Sequence, residues 1–126
     1  MPPNDCFQDD QDTIQRVVET VNSKAYDEVQ TDLHLCFTRP INYSFMISHN
    51  YCPDDIRSIL GSLRIEDYCH TSREEGKPNA YVFSPDTRED YSIYLKVAIK
   101  NGVIVISFHE PDRPLSFPFR IRRKTK

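Results

Sequence analysis

The chain has 126 residues, 19 acidic and 16 basic side chains, and a formal net charge of −3 at pH 7. This length suits a single domain, 1–126, with one modest core, and the polar ends 1–11 and 120–126 are expected to be flexible. No run approaches the ~18 apolar residues of a membrane helix, and the acidic N-terminus lacks the basic-then-apolar order of a signal peptide, so a cytoplasmic protein without a membrane partner is expected.

In chain order, Asp12 or Thr13 is placed to cap a first helix, in which Ile14, Val17, Val18 and Val21 recur at the i, i+3, i+4, i+7 spacing of one buried face. Leu33-His34-Leu35-Cys36-Phe37 alternates like a short strand, with His34 structural rather than catalytic. Arg39-Pro40 opens a second helix with Ile41, Phe45 and Met46 on one face; proline fits a first turn, where its missing N–H had no partner. Pro53 opens a third, with Asp54 and Asp55 near its positive end and Ile56, Ile59, Leu60 and Leu63 as the buried stripe. Residues 71–79 read as a loop, 80–84 as a strand and 85–90 as a turn. The four cysteines, Cys6, Cys36, Cys52 and Cys69, stand far apart without a CxxC pair, which favours buried reduced thiols over a disulfide framework.

The most informative stretch is 91–110. Two β-rich runs, 92–100 and 103–109, flank Asn101-Gly102, the strongest short hairpin signal, since a type I′ turn needs positive φ at both central residues. A two-residue turn makes Lys100 face Val103, Ala98 face Val105, Lys96 face Ser107 and Tyr94 face His109. The side-chain period of two then sorts the ribbon. Ile93, Leu95, Val97, Ile99, Ile104, Ile106 and Phe108 form an apolar face that packs on helices. Tyr94, Lys96, Ala98, Lys100, Val103, Val105, Ser107 and His109 form the other. The expected fold is α+β, with N-terminal helices on one face of a small antiparallel sheet and a C-terminal hairpin.

The second face gathers chemistry. Cleaving RNA without a metal requires taking a proton from a 2′-hydroxyl, steadying charge on the phosphate and returning a proton to the departing 5′-oxygen. Histidine or tyrosine shuttles protons and lysine holds the anion. Charge is also distributed unevenly: residues 1–63 carry ten acids and four bases, and residues 64–126 nine acids and twelve bases. Arg120, Arg122 and Arg123 lie in a basic tail that, with Arg73 and Lys100, is a secondary candidate for binding RNA phosphates. No glycine-rich phosphate loop and no Ser-His-Asp motif occurs. His49-x-x-Cys52 and Cys69-His70 lack the paired close spacing of a zinc site, so no metal and no cofactor is expected.

The ordered text Asp54-Asp55-Ile56-x-x-Ile59-Leu60-x-x-Leu63-x-x-x-Asp67-Tyr68, then Ile93-Tyr94-Leu95-Lys96-Val97 and Val105-Ile106-Ser107-Phe108-His109-Glu110, resembles the MqsR family of mRNA interferase toxins over roughly residues 30–119. It is most similar to the longer members, whose last strand runs into a proline-containing ISFHE tail. The resemblance implies a RelE-like fold, metal-independent cleavage of mRNA and neutralisation by a cognate antitoxin protein. It places Tyr94 at a catalytic tyrosine of the penultimate strand, His109 where the founding members carry a catalytic lysine, and His70 near another family lysine. A family glutamine after the aromatic strand residue has no counterpart, since Val82 follows Tyr81. These departures keep a second class open: a non-catalytic binding protein on the same fold that engages an antitoxin-like or other macromolecular partner.

Overall fold

A computed structural model describes residues 8–25, 31–32, 39–87, 89–100 and 102–120. Helix α1 (Gln11–Lys24) buries Ile14, Val17, Val18 and Val21, as their spacing requires, but its N-cap is Asp10 rather than Asp12 or Thr13. The Thr13 hydroxyl donates to the Asp10 carboxylate and holds it below its ordinary value. Two residues of the segment expected to be flexible are tied down. The Gln8 amide donates to the Cys69 carbonyl at 3.3 Å, and the Thr71 hydroxyl donates to the Asp9 carboxylate at 2.6 Å.

Helix α2 (Pro40–Ser48) buries Asn42, Phe45 and Met46, whereas Ile41 is 57% exposed, so the inward stripe lies one residue further round than expected. Helix α3 (Pro53–Gly61) turns Ile56 and Leu60 into the core. The Asp55 carboxylate accepts the Cys52 backbone N–H at 2.9 Å, satisfying one of the donors a helix start leaves open. Cys52 itself is exposed, against the expectation of a buried thiol; Cys69 is buried, and burial pushes its thiol up to about 12.

The strands are β1 (Thr31–Asp32), β2 (Tyr68–Ser72), β3 (Ala80–Phe83), β4 (Tyr94–Ile99) and β5 (Val103–His109), in the order β1-β5-β4-β3-β2. Strands β2 to β5 are antiparallel neighbours, and β1 adds a short parallel pairing to β5, so the class is α+β with a predominantly antiparallel sheet. Strand β2 takes in Thr71 and Ser72, at the start of the segment 71–79 expected to be a loop. Its polar text hid it: Thr71 is fully buried because Tyr68 and Asp9 satisfy its hydroxyl. The alternating run 33–37 lies outside the described residues.

The hairpin differs from a two-residue turn. Ile99 pairs with Val103, so the connection spans three residues, and Gly102 adopts φ +140°, open to glycine alone without strain. The register is Val97↔Val105 on the turn side and Lys96↔Ser107 on the other, which leaves Ile106 as an extra residue in β5. This β-bulge resets the side-chain alternation. Val103 and Val105, expected on the second face, are fully buried in the core, while Ile104 and Ile106 are only half-buried. A strict period of two would oppose Val105 to Phe108; the bulge turns both toward the helices. Below it, the expected Tyr94↔His109 and Lys96↔Ser107 pairs hold.

Asn42 fastens the bulged strand. Its amide donates to the Ile106 carbonyl at 3.0 Å, and its side-chain oxygen accepts the Phe108 N–H at 3.0 Å. A side chain thus serves as partner to the β5 edge beyond the two residues of β1, where unpaired backbone groups would otherwise be costly. The core cluster joins α1, α2 and α3 to Phe83, Leu95, Val97, Val105 and Phe108.

Candidate functional site

The sheet face turned away from that cluster is organised in rows across the strands. Tyr94 on β4 opposes His109 on β5, and their rings stack with centroids 5.2 Å apart and planes 16° from parallel. The His109 Nδ1 lies 2.8 Å from the Glu110 carbonyl oxygen. A carbonyl only accepts, so Nδ1 carries a proton, and Nε2 is the nitrogen that exchanges one. Two residues along β4, roughly 7 Å away, comes the next row. It reads His70, Val82, Lys96, Ser107 from β2 to β5. Tyr94, Lys96, His70 and His109 are all half-buried, whereas Val82 and Ser107 beneath them are 0% and 5% exposed. One face therefore holds two imidazoles, a phenol and an ammonium on a closed floor. The hairpin pairing brings Tyr94, Lys96 and His109 together; the β2–β3–β4 pairings add His70 two strands from Lys96, roughly 10 Å between backbones.

No family model, curated protein or solved structure matches this chain.

The remaining candidates are scattered. Lys100 sits exposed at the hairpin turn, at the far end of β4 from Tyr94. Arg73 follows β2 and pairs with Asp9 at 3.5 Å. Arg122 and Arg123 lie outside the described residues. Arg120 is engaged elsewhere: its guanidinium lies 3.7 Å from the Phe117 ring centroid and 4.0 Å from the Asp67 carboxylate. It helps line a cleft of about 790 Å³, but Glu66, Asp86 and Glu89 outnumber Arg64 and Arg120 there. That balance suits a polyanion poorly, and the cleft does not include Tyr94, Lys96 or His109.

Asp67 is only 3% exposed, and its Oδ1 has no hydrogen-bond partner. Burial pushes its carboxyl above the ordinary value, an effect that the Arg64 backbone N–H, Arg64 and Arg120 counter only in part. The raised value means that the native state holds this proton more tightly than the unfolded chain does. The contribution of Asp67 to stability therefore falls as pH rises from the unfolded value of 3.8 through the native one, and the penalty is complete above it. Asp67→Asn keeps an acceptor for the Arg64 N–H and removes the buried charge. It should raise the melting temperature at pH 7 by an amount corresponding to ~1 kcal/mol, a gain that vanishes near pH 3. A lower melting temperature for this variant at pH 7 would show that Arg120 compensates the carboxylate fully.

Asn42, which steers β5 into His109, carried no signal in the sequence beyond being polar within an apolar helix. Its role exists only once β5 presents two edge backbone groups beyond its pairing with β1.

Proposed function

We propose that the face carrying Tyr94, Lys96, His70 and His109 cleaves RNA, and that the protein is a metal-independent endoribonuclease acting on mRNA, the toxin of a toxin–antitoxin pair held in check by a protein antitoxin, on a RelE-like fold. The observation that carries this reading is the stacked Tyr94–His109 pair with Lys96 one row away. Nε2 of His109 takes the proton of a 2′-hydroxyl that the Tyr94 phenol orients. The 2′-oxygen then attacks the phosphorus, whose growing negative charge Lys96 holds. The bond to the 5′-oxygen breaks, and that oxygen takes a proton from water, to which the His109 imidazolium returns the one it accepted. His70, two strands from Lys96, is a contributor to RNA binding on the same face rather than the proton donor. The products are a 2′,3′-cyclic phosphate and a 5′-hydroxyl, and the proton count balances.

The test is incubation of purified protein with mRNA in excess chelator, alone and with ribosomes. Cleavage with cyclic-phosphate ends is expected, and none when the nucleotide 5′ of the scissile phosphate is 2′-deoxy. Cleavage of the deoxy substrate, or activity that chelation abolishes and magnesium or zinc restores, would refute this chemistry.

A second reading, a binding protein without catalysis, draws on one observation: Ile41, Tyr43 and Ile47 of α2 are 57%, 52% and 63% exposed. Large apolar side chains grouped on one helix are a common feature of protein-binding surfaces. Intact RNA together with retained partner binding would select this reading.

A further inference from the structure

On the same sheet face, further along β4 from Tyr94, a cleft of about 180 Å³ opens among six parts of the chain. Arg39 comes from the N-cap of α2, Lys77 from the β2–β3 loop and Lys96 from β4; Ser72, Ala80 and Ile106 contribute from three other strands. The pairings Ser72↔Ala80 and Ala80↔Ala98 place this floor one row beyond the His70–Lys96 row. The cleft thus continues the Tyr94–His109 row in a line, with Lys96 shared between the two.

Its charge is lopsided. Three cations face one carboxylate, Glu74, which already accepts Lys77 at 3.1 Å. That hydrogen bond and the charges of Lys77 and Lys96 hold Glu74 below the usual carboxylate range. The positive end of α2 adds to the same side, because Arg39 is its cap. Cations that converge from separate elements repel one another, and a bound anion relieves that repulsion. A guanidinium beside two ammonium groups suits phosphate oxygens.

We infer that this cleft binds a second backbone phosphate of the RNA, next to the one held at Tyr94, Lys96 and His109, so that the strand lies along β4. Arg39 and Lys77 are the residues of this subsite, and neither touches the reacting atoms. The inference rests on the RNA reading of the neighbouring face, and it adds a reason for polynucleotide preference: a dinucleotide has only the scissile phosphate and cannot fill the cleft.

The experiment measures binding of a fluorescent, uncleavable 2′-O-methyl RNA, and cleavage of a dinucleotide and of a hexanucleotide, for wild type, Arg39→Gln, Lys77→Gln and Glu74→Gln. Each cation variant should weaken RNA binding about three- to tenfold at moderate salt and lower the slope of log K against log salt by about 0.7, the value for one phosphate contact on a single strand. Hexanucleotide cleavage should fall similarly while dinucleotide cleavage is unchanged. Glu74→Gln should tighten binding, a gain that misfolding cannot mimic. If the protein cleaves RNA but the cation variants bind like wild type, or if both substrates lose activity equally, the subsite is refuted and the cleavage reading stands. If no substrate is cleaved yet the cation variants lose RNA binding and salt slope, the subsite stands and the nuclease reading fails.

Discussion

His109→Ala should remain folded and cleave RNA at least about a hundredfold more slowly, because a positioned general acid or base contributes about a hundred- to ten-thousand-fold. The ring is half-buried at the end of β5, stacked on Tyr94 and bonded to the neighbouring Glu110 carbonyl, so its removal takes little from the core. Circular dichroism and the melting temperature should therefore stay close to wild type while single-turnover cleavage collapses. Expression in bacteria should no longer arrest growth. Tyr94→Phe separates the roles: it keeps the stack and removes the hydroxyl, so a smaller loss than that of His109→Ala is expected if the phenol orients rather than transfers. Cleavage by His109→Ala at the wild-type rate, in a protein shown to be folded, would remove histidine from the mechanism.

Asn42→Leu should be the most damaging single change outside the aromatic core, costing about 2–4 kcal/mol. Leucine is nearly isosteric with asparagine but cannot serve the Ile106 carbonyl or the Phe108 N–H, and each buried backbone group left unpaired costs about 1–3 kcal/mol. Total stabilities of domains lie around 5–15 kcal/mol, so the denaturant midpoint should drop visibly without a change in slope. The effect should reach the site as well, since the same bonds straddle Ser107 and end one residue before His109. Asn42→Asp is the informative companion: it can accept from Phe108 but not donate to Ile106, and it should fall between. A midpoint for Asn42→Leu within ~0.5 kcal/mol of wild type would mean that water or a local rearrangement serves the strand edge equally well.

Both expectations depend on β5, and β5 is where sequence reasoning succeeded and failed within seven residues. The Tyr94–His109 and Lys96–Ser107 pairs follow from alternation and a turn signal, and they hold. The placement of Val103 and Val105 on the second face does not. Two opposite errors cancel: a turn one residue longer than expected, and a bulge at Ile106 that inserts one residue back. Strands rich in Val and Ile on both faces accept either register locally, so only the packing of Phe108 and Val105 on the helices selects the bulged one.

The sequence by itself determined the local periodicities. It specified the stripes of α1 and α3 through i, i+3, i+4 spacing, the start of α2 and α3 through proline, and a hairpin closing on Gly102 through the φ that glycine alone adopts freely. These depend on neighbours within a turn or two, whose physics is written in adjacent letters. Tertiary structure alone decided the strand at 68–72, the inward turn of Asn42 in place of Ile41, the diversion of Arg120 to Asp67 and Phe117, and the meeting of Arg39, Lys77 and Lys96 at one cleft. These arrangements turn on contacts between residues far apart in the chain, such as Asn42 with Phe108, Thr71 with Asp9 and Arg120 with Asp67. Their energies come from satisfying buried polar groups and balancing charge in three dimensions, and no local pattern records which distant partner will do so.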